Sequence, residues 1–99
     1  MVLLHIALQD GFRNNTVLMR LNGKRIYRKN NLKTRTQIGL ADSVELETDE
    51  GPASLEVSLP QERIVGSIAF VLKSVTYIGV SIIEGEVQFK VQNVPFGYL

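Results

Sequence analysis

The amino-acid sequence predicts an all-β fold: an antiparallel β-sandwich, immunoglobulin-like or transthyretin-like, or a flattened barrel of seven to nine strands. Three observations lead there. Apolar and polar residues alternate with period two almost throughout, and no window of about 11 residues holds the i, i+3, i+4, i+7 spacing of an amphipathic helix. Turn signals separate the alternating runs at Asn22-Gly23, Asp49-Glu50-Gly51-Pro52 and Glu84-Gly85. The runs recur at the spacing of roughly 8 to 12 residues expected of such folds. A chain of 99 residues is the size of one domain, covering residues 1–99.

Met1 to Leu8 reads as an opening strand. It lacks the basic start and small-residue cleavage site of a secretory leader, and it runs directly into Gln9 and Asp10. Thr16 to Arg28 reads as a hairpin about Asn22-Gly23, which supplies the two positive-φ positions of a type I′ turn. Pairing across that turn sets Leu21 against Lys24, Arg20 against Arg25, Met19 against Ile26 and Leu18 against Tyr27, with Val17, Met19, Leu21 and Ile26 facing the core. A short strand is expected near Thr36 to Leu40. Val44 and Leu46 then alternate with Glu45 and Glu47 and, through Asp49 to Pro52, lead into Leu55, Val57 and Leu59, which reads as a second hairpin. Beyond Pro60, Ile68, Phe70 and Leu72 alternate with residues that are themselves apolar, the pattern of a central strand or of one that meets another subunit. A third hairpin joins Tyr77–Ile83 to Glu86–Gln92 through Glu84-Gly85, with Val87, Phe89 and Val91 on its buried side. Gly66 and Gly79, each inside a strand pattern, mark bulges or close backbone approaches.

From Asn22 to Pro60, the order Asn22-Gly23-Lys24, Tyr27, a further strand and then Glu50-Gly51-Pro52-Ala53-Ser54-Leu55-Glu56-Val57 resembles the carboxypeptidase-regulatory and PEGA-type β-sandwich modules. That resemblance implies an immunoglobulin-like or transthyretin-like sandwich without a catalytic role. The Thr-Pro step of the PEGA pattern is replaced by the charged run Asn30 to Thr36, and the chain ends Phe96-Gly97-Tyr98-Leu99 instead of in the Tyr-Arg-Gly-Ser tail of the transthyretin-like hydrolases.

A formal net charge of +1 conceals a polar arrangement along the chain. Gly11 to Ala41 holds Arg13, Arg20, Lys24, Arg25, Arg28, Lys29, Lys33 and Arg35 and no acid; Asp42 to Glu62 holds Asp42, Glu45, Glu47, Asp49, Glu50, Glu56 and Glu62 and no base. Arg20, Lys24, Arg25, Tyr27, Arg28, Lys29, Lys33 and Arg35 are the residues a nucleic-acid or polyanion site would use, the tyrosine stacking on a base and the cations tracking phosphates. Against this stand the overall pI of about 8.1 and the common use of charge to blunt an edge strand. The facing pair Arg20 and Arg25 is repulsive, and something should compensate.

The absence of cysteine removes disulfides, thiolate metal sites and cysteine nucleophiles. The acids lack the spacing of a calcium loop, so no metal or cofactor is expected. His5, the one histidine, has neither a nucleophile nor an orienting group assigned by sequence, and Gly79-Val80-Ser81 lacks the closing glycine of a nucleophile elbow. The expectation is therefore a non-enzyme with no catalytic residues. The Asn14-Asn15-Thr16 sequon has meaning only in a secreted chain. No tract is long enough to span a membrane, and a soluble, cytoplasmic protein is expected.

The remaining signal is an apolar surplus. Between Ile64 and Val91 the residues on both strand faces are often apolar, and the tail carries Phe96 and Tyr98. A small disulfide-free β domain gains core by associating. The expected role is a structural or protein-binding module that self-associates as a homo-oligomer through Phe70, Ile82, Phe96 and Tyr98, with polyanion binding as the alternative.

Overall fold

The computed structural model describes residues 1–97. Its eight strands are β1 (Val2–Leu8), β2 (Arg13–Leu21), β3 (Lys24–Lys33), β4 (Asp42–Thr48), β5 (Gly51–Leu59), β6 (Ile64–Leu72), β7 (Thr76–Ile83) and β8 (Glu86–Gln92). A 3₁₀ turn, Pro60–Glu62, separates β5 from β6. Among the described residues no helix is long and apolar enough to cross a membrane. The strands form two four-stranded sheets, ordered β4-β1-β7-β8 and β3-β2-β5-β6, and the molecule is a β-sandwich. Each connection reverses the chain, so odd-numbered strands run one way and even-numbered strands the other. This parity explains why β1 and β7 are parallel neighbours while every other pairing is antiparallel.

Period two places the core. Leu4, Ile6 and Leu8 of β1, Val17 and Met19 of β2, Leu55, Val57 and Leu59 of β5 and Ile78 and Val80 of β7 are all nearly inaccessible. At about 25 cal/mol per Å² of apolar surface, each such side chain stabilises the fold by roughly 1.5–3 kcal/mol relative to exposure. One end of the sandwich is plugged by Phe12, in the loop between β1 and β2 and buried. The Phe12 amide donates to the Thr34 hydroxyl at 3.1 Å, and that hydroxyl donates to the Gln9 carbonyl at 2.6 Å. Gly11 makes the plug possible, because a Cβ there would lie 1.9 Å from the Ile82 carbonyl oxygen, and its φ of +90° suits glycine alone.

Several expectations are corrected. The stretch from Val44 to Leu59 is not a hairpin: β4 pairs with β1 and β5 with β2 and β6, so the turn at Asp49-Glu50 crosses between layers. The run ending in Leu72 is not central, since β6 is an edge strand. Thr36 to Leu40 is a turn closed by a single bridge, Arg35 to Leu40. In the first hairpin, Leu21 faces Lys24 and Arg20 faces Arg25 as expected, but an extra residue at Ile26 shifts the pairs further from the turn. Met19 pairs with Tyr27, and Leu18 with Arg28. Val91, expected on the buried side of the third hairpin, is instead 42 % exposed, while Val87 and Phe89 pack against the core. Other features agree with expectation. Asn22 and Gly23 both have positive φ, β7 and β8 form the third hairpin, and both strand glycines are close approaches. A Cβ on Gly66 would lie 2.5 Å from Val87, and one on Gly79 would lie 2.6 Å from the Gln9 side chain.

Candidate functional site

A sandwich has four edge strands, here β3, β4, β6 and β8. An unpaired edge is a template for adding another strand, and proteins blunt it with charge, proline or bulges. β3 carries Lys24, Arg25, Arg28, Lys29 and Lys33, and its pairing with β2 is interrupted by register shifts. β4 carries Asp42, Glu45 and Glu47; β8 carries Glu86 and Lys90. β6, with the sequence Ile-Val-Gly-Ser-Ile-Ala-Phe-Val-Leu, has no charge and no proline, and it pairs with β5 in unbroken register from Ile64 to Leu72. Its outward face consists of Val65, Ser67, Ala69 and Val71, all exposed; Val65 keeps 65 % and Val71 56 % of its surface. On the inward face, Ile64, Ile68 and Phe70 pack against the core yet stay half-buried.

Of the residues expected to mediate association, Phe70 thus lies on a free edge. Ile82 is on β7, between β1 and β8, and faces inward. Phe96 lies half-buried over the opposite surface of the sandwich, in a cleft on the outer face of the β4-β1-β7-β8 sheet, and Tyr98 lies outside the described residues. Phe70, Ile82 and Phe96 do not form one patch.

That cleft, of about 280 Å³, is lined by His5, Ala7, Ser43, Tyr77 and the tail residues Pro95 and Phe96 among others. His5 stacks on Tyr77 with ring centroids 4.5 Å apart and planes 16° off parallel, and its Nε2 lies 3.1 Å from Glu45 Oε2. The cross-strand row Glu45, His5, Tyr77 makes this contact, as these residues sit side by side on β4, β1 and β7. Glu45 is the orienting group that sequence did not supply. The cleft also brings Ser43 near, but among the described residues no hydrogen bond joins its hydroxyl to His5. No group of three or more potential metal ligands occurs among the described residues.

The basic residues are strung along β3 instead of gathered on one face. Arg20, Arg25 and Arg28 share the outer face, where Glu56 on β5 lies beside Arg20 and pairs with it at 3.8 Å. Glu56 compensates the facing arginines, and nothing in the sequence had singled it out. Lys33 ends β3, and Arg35 lies just beyond it. Tyr27 leaves the basic surface altogether: the bulge at Ile26 turns it inward with Met19, so the expected base-stacking position is corrected. Its hydroxyl donates to Asp42 Oδ2 at 2.7 Å, and Lys29 Nζ reaches the same oxygen at 3.4 Å. Burial, reinforced by the hydrogen bond and charge of Asp42, pushes the Tyr27 phenol well above its ordinary range. For Asp42 itself, burial works to raise the carboxyl, but the Tyr27 hydroxyl, the Ser43 amide and Lys29 outweigh it and hold it below the usual carboxylate range. This cluster ties the two sheets together along the β3/β4 side.

Compared with known proteins, the chain matches no family model, no curated protein and no solved structure.

Proposed function

We propose that the protein is a non-enzymatic, self-associating structural module whose contact is the free edge of β6. The observation that carries this reading is the contrast among edges: three are charged, and one, nine residues long, is regular, uncharged and apolar on both faces. The resemblance to PEGA-type modules implies the same non-catalytic class.

The partner is a second copy, brought to β6 by a twofold axis normal to the sheet, which is the symmetry that sets a strand antiparallel to itself. With Ile68 on the axis, Val65 meets Val71 of the second copy and Ser67 meets Ala69, so the outward row is continuous. Gly66, which has no side chain of its own, then lies beside Phe70 of the second copy, and the half-buried inward face gains cover. A sandwich with extents of 33 × 31 × 20 Å has an edge of roughly 600 Å², giving about 1,200 Å² across two partners, the lower end of stable interfaces. A reversible dimer is therefore expected.

Sedimentation of the intact chain over a range of concentrations, in about 500 mM salt so that charged contacts are screened, tests the reading. A dimer that becomes monomeric in the double variant Val65→Lys/Val71→Lys, with the fold retained by circular dichroism, supports it. A wild-type monomer at high concentration, or a dimer indifferent to these substitutions, contradicts it.

A further inference from the structure

Association through β6 leaves the segregation of charge along the chain unused. The structure sets the two blocks side by side without neutralising them. β3 and β4 are edge strands of opposite sheets on the same side of the sandwich, as the reach of Tyr27 and Lys29 to Asp42 requires. Lys29 with Asp42 is the single ion pair between these two strands among the described residues. On the outer faces, β3 presents Arg25 and Arg28, and β4 presents Glu45 and Glu47. Glu45 has His5 as its partner; Arg25, Arg28 and Glu47 form no ion pair among the described residues.

We propose that the β3/β4 edge is a second contact between copies of this chain, selected by charge, in which Arg25 and Arg28 of one copy meet Glu45 and Glu47 of another. Symmetry makes the selection. A twofold axis normal to the sheets sets β3 against β3 and β4 against β4, like charge on like, which is unfavourable. A twofold axis parallel to the strands sets β3 beside β4 of the other copy, and does so twice. By the parity of strand direction the two strands run antiparallel, with both outer faces on the same side.

The presence of both signs on one edge is what identifies the occupant as a second copy. A polyanion fits β3 but is repelled by β4, and a basic peptide fits β4 but is repelled by β3; a copy of the same edge turned about that axis satisfies both. The register shifts in β3 break its regularity, so side chains and not a backbone ladder carry this contact, and salt weakens it. The contact rests on observations separate from those at β6. Two isologous contacts on opposite edges, with differently directed axes, propagate into an open row of sandwiches instead of closing into a ring.

The test uses full-length protein with the β6 edge blocked by Val65→Lys/Val71→Lys. Sedimentation at about 20 mM salt is expected to show a dimer whose dissociation constant rises roughly tenfold or more at about 500 mM. In that background, Glu45→Lys/Glu47→Lys and Arg25→Glu/Arg28→Glu, each checked for folding by circular dichroism, are each monomeric alone and form a heterodimer when mixed. A monomer at low salt overturns the proposal, as does a mixture of the two variants that remains two monomers. Retention of the monomer on heparin that Arg25→Glu/Arg28→Glu abolishes, with no low-salt dimer, overturns it in favour of polyanion binding. At high salt, comparing mass with and without the β6 substitutions reads the first contact alone, so failure of either proposal is recognised separately.

Discussion

β3 and β6 are the two edges of one sheet, separated by β2 and β5, and they are built in opposite ways. β3 is basic and irregular: Asn14, Ile26 and Asn31 lie where its pairing with β2 slips, two of them with positive φ. β6 is neutral and matched residue for residue to β5. The difference extends to the way each side of the sandwich is closed. Beside β3 the two layers are tied by polar atoms, Tyr27 and Lys29 on Asp42; beside β6 they meet through apolar contact, with Gly66 admitting Val87. Charge and bulges keep backbone pairing away from one edge, and their absence leaves the other edge able to accept a strand.

The largest expected effect comes from transplanting the character of β3 onto β6. Val65→Lys/Val71→Lys weakens association by about a hundredfold or more, since it puts like charges opposite one another in a buried row, while Thr16→Lys/Asn30→Lys beside the already basic edge leaves the high-salt mass unchanged. Light scattering distinguishes the two.

Next come the closures. Gly66→Ala forces Val87 away and costs about 1–3 kcal/mol by overpacking, read as a lower denaturation midpoint. Tyr27→Phe removes a hydrogen bond to a charged acceptor and costs about 1–2 kcal/mol. The polar closure also has a pH signature that the apolar one lacks. Asp42 is held below its ordinary value of 3.8, so its contribution is fully present above that value and is lost as pH falls through the depressed one. Chemical denaturation from neutral to acid pH should therefore show a steeper loss in the wild type than in Asp42→Asn, and no such difference in Gly66→Ala. The smallest effect is at the outer face: Glu56→Gln leaves Arg20 and Arg25 uncompensated, for a loss of a few tenths of a kcal/mol that shrinks with added salt.

Which residues of β2 face inward was legible in the sequence, because side-chain alternation is a local property: Val17, Met19 and Leu21 are buried while Arg20 is exposed, as period two requires. Sheet membership was not. The turn at Asp49-Glu50 has the same composition whether it closes a hairpin or crosses between layers, and only long-range pairing of β4 with β1 decides. Ile26 shows why register is hidden too. A bulge adds one residue without altering the pattern around it, yet it moved Tyr27 from the basic surface to the interlayer seam. β6 misled in an instructive direction, since a strand apolar on both faces looks central, and here it is an edge whose cover is proposed to come from a second copy. Phe12 left a faint signal, an isolated aromatic between Gly11 and Arg13 in an otherwise polar connection. The Glu45–His5 contact left none, because it depends on a sheet order that no local pattern contains.

Amide hydrogen exchange measured at low and high protein concentration, in about 500 mM salt to silence charged contacts, compares the two edges within one molecule. Alternate amides of Ile64–Leu72 are expected to slow as concentration rises while those of Lys24–Lys33 exchange at an unchanged rate. Exchange in Ile64–Leu72 that is independent of concentration, in a protein that stays monomeric by mass, would contradict association through β6.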